Sequence, residues 1–522
     1  MRRPQWLQKW LTMMNPPVFF GAAGTVILFI LYGALFTNQA GAVFSTVLSA
    51  ITTNLGWYYV GVMTFFLFFV VWLLLSPYAT IRLGGEDTRP EFSRPAWFAM
   101  LFAAGMGMGL VFWGVAEPIT HYLKPPMAEP ETAAALRESM RFTFFHWGFH
   151  PWAVYIIFAL GIAYFHFGRG LPLAPRSLLY PILGERYRGW IGHLADIICT
   201  VGTLLGVATS LGLGAMQINS GVTALTDVSF STGTQVAIIV IITVVATAST
   251  VSGVSKGIRL LSTFNMVVAM ALLAFVLLAG PTLYQLEVFS TSLGNYLQRL
   301  VATSLWVDLR PGSTWQATWT IFYWGWWISW CPFVGIFVAR ISKGRTIREF
   351  IIVAFLVPVM VTFLWLSVFG GTALHIELYG GGGIAAAVKD NVATSLNALL
   401  AQLPWSNITQ VVGLVLIVTF FITSSDSGSL VDDMVTSGGH PNPPAAQRVF
   451  WGVSEGATAA VLLVAGGLTA LQSAAIASGL PMSLLVLVTC YTLVKALRQD
   501  VAKRKRAAGE AGRDPKEAAE PP

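Results

Sequence analysis

Twelve apolar runs divide the sequence, near 17–36, 57–77, 97–120, 144–165, 191–222, 235–254, 261–282, 316–339, 350–370, 408–429, 449–468 and 471–494. A helix rising 1.5 Å per residue needs about 20 such residues to cross a hydrocarbon core of roughly 30 Å. Lipid offers the backbone no hydrogen-bond partner, so each run must satisfy its own N–H and C=O groups as a helix. The chain is therefore predicted to be an all-α membrane protein with 12 transmembrane helices. Only 11% of its 522 residues are charged and 55% are hydrophobic, whereas about a quarter of an average soluble domain is charged. That composition excludes the soluble class. The amphipathic stretch around 286–300 is predicted to lie along the membrane interface.

Basic residues orient the spans. With both termini and every second loop on one side, that side collects all but six of the 31 Lys and Arg, from Arg2, Arg3 and Lys9 through Arg340, Lys343 and Arg345 to the tail. The six others are Lys124, Arg137, Arg141, Arg299, Arg310 and Lys389. Lys and Arg accumulate in cytoplasmic loops, which predicts a multi-pass protein of the cytoplasmic (inner) membrane with both termini cytoplasmic. The pI of about 9.3 then reports topology, and no nucleic-acid partner is expected.

The first run is span length and has no A-x-A-like processing site, so no cleavable signal is expected. Cys199, Cys331 and Cys490 fall inside spans without paired spacing and read as buried free thiols. His146 and His150 stand i,i+4, but no HExxH motif or third ligand accompanies them, and no transition-metal site is expected. No nucleophile–base pair is visible, so the chain is not read as an enzyme, and no cofactor is expected.

Two segments break the apolar background. In "AAGMGMGLVFWGVAEP", Gly105, Gly107, Gly109 and Gly114 interrupt the third run, although each glycine costs a helix about 1 kcal/mol against alanine. One reading is close helix packing through the small-xxx-small spacing of Gly105 and Gly109. The other is a locally unwound helix whose freed amides and carbonyls line a cavity, the one setting that tolerates irregular backbone at membrane depth.

The second segment, "YWGWWISWC" at 323–331, gathers Trp324, Trp326, Trp327 and Trp330 far from either interface, where tryptophan usually concentrates. Tyr323, Trp327 and Trp330 follow i, i+4, i+7 and share a helix face. The fourth run adds Trp147, Trp152 and Tyr155, with Pro151 expected to distort the turn. Core packing explains most single aromatics, but each buried indole N–H needs a partner, and ring faces lining a cavity are good hosts for a quaternary ammonium. Span centres hold no Lys or Arg, and few acids approach them, among them Glu117, Asp196 and Asp426. A site with so little formal charge suits a zwitterion: its cation on the rings, its anion on freed backbone N–H groups.

The stretch 320–350, with "AAGMGMGLVFWGVAEP", "HWGFHPWAVY" and "FFITSSDSGS", resembles the betaine/choline/carnitine transporter family across all twelve runs. The resemblance implies a leucine-transporter-like inverted repeat with two added N-terminal helices, typically assembled as a homotrimer. It divides the chain into a cytoplasmic N-terminus 1–16, two N-terminal spans 17–96, a first five-helix unit 97–285, an interfacial helix and loop 286–314, a second five-helix unit 315–495 and a basic tail 496–522.

By motif position the resemblance implies an aromatic box of Trp147, Trp152, Tyr155 and Trp327. Trp330 would be a second station on the inward path, and Trp326 and Phe337 would line or gate that path. Gly105, Gly107 and Gly109 would form the family's mobile glycine stretch. A sodium site would combine the carbonyls of Ala103, Met106 and Phe420 with the hydroxyls of Thr423 and Ser424; otherwise those hydroxyls bond back to their own helix. A second sodium site matches Thr203 and Phe333, but Val207 stands where coupled relatives offer a hydroxyl.

The expected function is import of a small zwitterionic quaternary-ammonium solute of the glycine betaine type, by sodium symport with alternating access. Choline carriers tend to place an acid where this sequence has Gly109. The alternatives are a sodium-independent exchanger or a proton-coupled carrier of carnitine, choline or a related solute, or a sensor or channel gated by such a cation. The tail "KALRQDVAKRKRAAGEAGRDPKEAAEPP" reads either as a basic flank that fixes topology or as a sensor of anionic membrane lipids.

Overall fold

Apolar runs that must satisfy their own backbone give a molecule built of helices. The structure, a computed structural model, describes residues 13–105, 107–251 and 255–511. Arg2, Arg3, Lys9, Met106 and the end of the basic tail lie outside them. The long helices in chain order are α1 Pro16–Leu35, α2 Thr37–Leu75, α3 Arg94–Gly105, α4 Met108–Leu123, α5 Ala133–Trp147, α6 Phe149–Arg169 and α7 Trp190–Leu225. They continue with α8 Thr232–Val251, α9 Ser255–Ala279, α10 Thr282–Gln298, α11 Phe322–Ile341, α12 Ile347–Tyr379, α13 Ser406–Thr436 and α14 Ala445–Ala511. Among the described residues the only β pairing is an isolated antiparallel bridge between Arg82 and Thr346.

By length and composition, nine helices among the described residues are long and apolar enough to cross a membrane. Over the described residues, each of the twelve apolar runs lies mainly within a helix or a consecutive pair of helices. The boundaries differ where local chemistry breaks the chain. The runs at 449–468 and 471–494 belong to α14, which bends at Gly466 (φ −176°, ψ 15°) and Gly467 (φ 57°, ψ −135°). The helix under the fourth run begins earlier than its hydropathy suggests, because α5 carries Arg137, Glu138 and Arg141 as well as apolar residues.

The Gly148 break has a clear cause. Pro151 lies in the first turn of α6, where its missing N–H costs nothing, but its ring would clash with the carbonyl of Trp147 in a continuous helix. The chain parts instead at Gly148 (φ −89°, ψ −128°). A Cβ there would come within 2.6 Å of the Phe144 carbonyl oxygen and 2.7 Å of the Tyr296 hydroxyl. The opening between α3 and α4 lies at Gly107, whose backbone is extended (φ −157°, ψ 178°).

α7 is the central post, packed by α14, α13 and α11, while α11 also packs along α6 and α4 lies between α5 and α12. Nearly all of α4 and α6 is buried. Large apolar side chains on α1, α2, α8 and α9, among them Phe20, Leu28, Trp57, Val244 and Val267, face outward. An apolar exterior of this kind marks a lipid-facing surface. The loop joining α6 to α7 is pinned by a buried ion pair, in which Arg176 donates from its backbone N–H (2.8 Å) and from Nε (2.6 Å) to the Asp196 carboxylate.

Candidate functional site: an aromatic cavity

A small cavity opens where α4, α5, α6 and α11 converge, lined by Gly107, Gly109, Leu110, Trp147, Pro151, Trp152, Tyr155, Trp326, Trp327, Trp330 and Thr362. Eight of the residues named from sequence as substrate-binding or gating residues thus share one wall. Gly105 ends α3. Phe337, two turns beyond Trp330 on α11, is 38% exposed and lies off the cavity.

Each ring is placed by a specific constraint. Trp147, the last residue of α5, turns its N–H to Glu117 Oε2 at 2.8 Å. Trp327 donates to the His146 carbonyl at 2.9 Å. Their rings meet nearly edge to face, with centroids 4.8 Å apart and planes 71° apart. Trp326 stacks on Trp327 at 4.8 Å and 12°. Trp152 and Tyr155 cross at 5.6 Å and 88°. Gly109 lets α4 approach this stack, since a Cβ there would lie 2.5 Å from Trp326 and 3.2 Å from Trp147.

Two buried donors in the wall lack a protein partner: the Tyr155 hydroxyl and the Trp330 indole N–H. Buried polar groups are nearly always satisfied, so both are available to an acceptor in the cavity. Sequence reasoning assigned the anionic end of a ligand to backbone amides alone; these side-chain donors add to that set. No lining residue carries a formal charge. Ring faces for a cation, hydroxyl and indole donors for an anion, and no fixed charge together make a receptor for a small zwitterion. Trp324 faces elsewhere, stacked on His150 at 5.1 Å and 23°.

Behind the wall lies a buried cluster that the sequence did not assemble. Glu117 receives the Tyr323 hydroxyl at 2.5 Å on the oxygen that also holds Trp147, and its other oxygen lies 2.6 Å from His146 Nδ1 and 3.1 Å from His121 Nε2. His146 Nε2 reaches the Thr320 hydroxyl at 3.0 Å. His146 and His150, i,i+4 in the sequence, do not face one another. The break at Gly148 separates them, and His150 bonds Ser304 Oγ at 3.0 Å instead. His146 joins Glu117 and His121, with ligand-type atoms all within 4.8 Å of one another. The i,i+4 spacing of Glu117 and His121 on an apolar helix was the available signal.

Of the candidate sodium ligands, Met106 lies outside the described residues, as does all but the helical backbone of Ala103. On α13 the Thr423 hydroxyl bonds back to the carbonyls of Thr419 (3.0 Å) and Phe420 (3.1 Å), as Thr hydroxyls commonly do within a helix. It also receives Asn265 Nδ2 from α9 at 3.0 Å. Ser424 is the next residue and is half-buried. Asn265 was missed from the sequence: it is buried, and its Oδ1 has no partner. Thr203 is buried with its hydroxyl unpartnered, and Phe333 packs edge-on to Trp330 at 5.2 Å. Val207 is buried near Gly428 and Glu455.

Residues 17–502 match the model of a family described as BCCT, betaine/carnitine/choline family transporter. The chain is 48% identical over 503 residues to an uncharacterized transporter of Mycobacterium tuberculosis, covering 95% of this chain and 85% of the relative. It is 44% identical over 483 residues to the glycine betaine transporter OpuD of Bacillus subtilis, covering 92% and 93% of the two. It is 41% identical over 500 residues to a glycine betaine/proline/choline transporter of Vibrio parahaemolyticus, covering 92% and 90%.

Proposed function

The chain belongs to the betaine/carnitine/choline transporter family, and from that premise we propose that it imports a zwitterionic quaternary-ammonium solute of the glycine betaine type by sodium symport. Alternating access would expose the cavity to each side of the membrane in turn. The observation that carries this reading is the uncharged aromatic cavity, with the Tyr155 hydroxyl and the Trp330 N–H as its unpartnered buried donors. A trimethylammonium group has no N–H to give a carboxylate, so ring faces are its natural partners. The carboxylate end takes the two donors, and Trp147, Trp152, Tyr155 and Trp327 surround the cation. Relatives at 41 to 44% identity bear the names of glycine betaine transporters, which supports the substrate class.

Coupling to sodium rests on the oxygen set of Phe420, Thr423 and Ser424, joined by Asn265, with Ala103 and Met106 across the glycine break. Hard oxygen donors suit a small hard cation. Under this reading the chain crosses the inner membrane twelve times with both termini cytoplasmic, as two inverted five-helix units, and assembles as a homotrimer. Val207 favours a second reading, sodium-independent exchange or proton coupling with carnitine or choline as cargo, because it withholds a hydroxyl from the second sodium site at Thr203 and Phe333.

One experiment separates the two. Uptake into vesicles is measured for betaine, choline, carnitine, ectoine and a sulfonium solute, in sodium and in potassium buffer. Betaine accumulation that requires sodium supports the lead reading; equal uptake in both buffers rejects symport in favour of the second.

A further inference from the structure

No residue lining the cavity is charged, yet one carboxylate stands directly behind its wall. Glu117, wholly buried on α4, accepts the Trp147 N–H at 2.8 Å and the Tyr323 hydroxyl at 2.5 Å on the same oxygen. An indole N–H can only donate, so this oxygen is an acceptor facing the back of the cage. His146 and His121 approach its other oxygen. The order in space is carboxylate, indole, cavity, because Trp147 both bonds Glu117 and lines the cavity. Trp327 is tied to the same oxygen at one remove, stacked on Tyr323 at 5.7 Å and 22°.

We propose that Glu117 is a specificity-determining residue that makes the aromatic cage select a positively charged ligand over an uncharged ligand of the same shape. An indole that donates to a carboxylate is polarised, its electron density pushed toward the ring face that a cation would meet. The attraction of a cation to that face is electrostatic, and a buried setting of low dielectric strengthens both the hydrogen bond and its effect on the ring. The cage thereby gains the influence of a negative charge without placing a carboxylate in the cavity, where it would repel the anionic end of a zwitterion. Glu117 touches no ligand and acts through Trp147.

The proposal rests on the cage reading above, so the test measures each separately. Glycine betaine and 3,3-dimethylbutanoate share a shape and a carboxylate, but the second has carbon in place of the cationic nitrogen. Their inhibition constants against labelled betaine uptake are compared in proteoliposomes of the wild type, Glu117→Gln and Trp147→Phe. The wild type is expected to prefer betaine by at least about 30-fold, a margin within reach of a desolvated cation–π site. Glu117→Gln, which keeps shape and removes charge, is expected to lower that ratio about tenfold, and Trp147→Phe, which keeps a ring and removes the N–H, about fivefold. Equal losses for both ligands, or an unchanged ratio, would overturn the proposal by leaving Glu117 a merely structural role. Should Glu117→Gln fail to reach the membrane, Trp147→Phe decides by the same criterion. A wild type that does not distinguish the two ligands overturns the cage reading itself and this proposal with it.

Discussion

The indoles of Trp147 and Trp327 meet nearly edge to face, 4.8 Å between centroids, with each N–H held outside the cavity by a different acceptor. Anchoring the polar edges leaves both ring faces free to form a wall. Trp327→Leu removes one face and leaves the His146 carbonyl without its donor. Loss of a cation–π contact in a desolvated site is worth about 2 kcal/mol, so the KM for betaine is expected to rise at least about tenfold. Labelled uptake alongside immunoblotting of membranes checks this; wild-type kinetics at wild-type abundance would exclude Trp327 from the cage.

Gly107 and Gly109 predict opposite outcomes for the same substitution. A methyl at 109 would sit 2.5 Å from Trp326, which cannot retreat because it is stacked between Trp327 and Phe322 at 4.8 and 5.4 Å. Overpacking of this kind costs about 1–3 kcal/mol, and Gly109→Ala is expected to lower kcat/KM about tenfold. Among the described residues a methyl at 107 meets only Trp330, at 3.9 Å, on extended backbone that any residue adopts. Gly107→Ala is therefore expected to stay within about twofold of wild type on these steric grounds. Parallel kinetics of the two variants provide the check; equal impairment would mean that the backbone at 107 must move during transport.

How much of this was legible in the sequence depends on how far apart the partners lie. The aromatic wall could be read because Trp327 and Trp330 share one helix face and Trp147, Trp152 and Tyr155 crowd one short segment. The support behind it could not, because Glu117, His146 and Tyr323 come from three helices that only packing brings together. The i,i+4 spacing of His146 and His150 carried no site for a local reason: it implies a shared face only on a continuous helix, and Gly148 ends one helix between them. Asn265 lies on a largely apolar helix 158 residues from its partner Thr423, and a polar residue in such a helix carries no sign of what it faces.

Asn265 and Thr423 yield a prediction about coupling. Thr423→Val keeps the side chain's volume but removes both an oxygen from the candidate sodium shell and the acceptor for Asn265 Nδ2. Leaving a buried donor unsatisfied costs about 1–3 kcal/mol. The sodium concentration giving half-maximal betaine uptake is expected to rise about tenfold in this variant, with a smaller rise in Asn265→Ala. Initial rates across a sodium titration at constant ionic strength measure it. An unaltered sodium curve in both variants would remove this face of α13 from the coupling site.

The Arg176–Asp196 pair concerns stability rather than transport. Both side chains are buried, and the carboxylate takes two hydrogen bonds from a single arginine at 2.8 and 2.6 Å. Taking one partner away strands a charge in a poorly solvated site, which typically costs 3–5 kcal/mol, whereas replacing both with apolar residues of similar volume is often neutral. Asp196→Asn is accordingly expected to lower the thermal midpoint in detergent clearly, and the double variant Arg176→Met/Asp196→Leu to recover most of that loss. Midpoints that fall further in the double variant would show that the pair contributes more than its mutual neutralisation, by fixing the backbone of the loop between α6 and α7 through the Arg176 N–H.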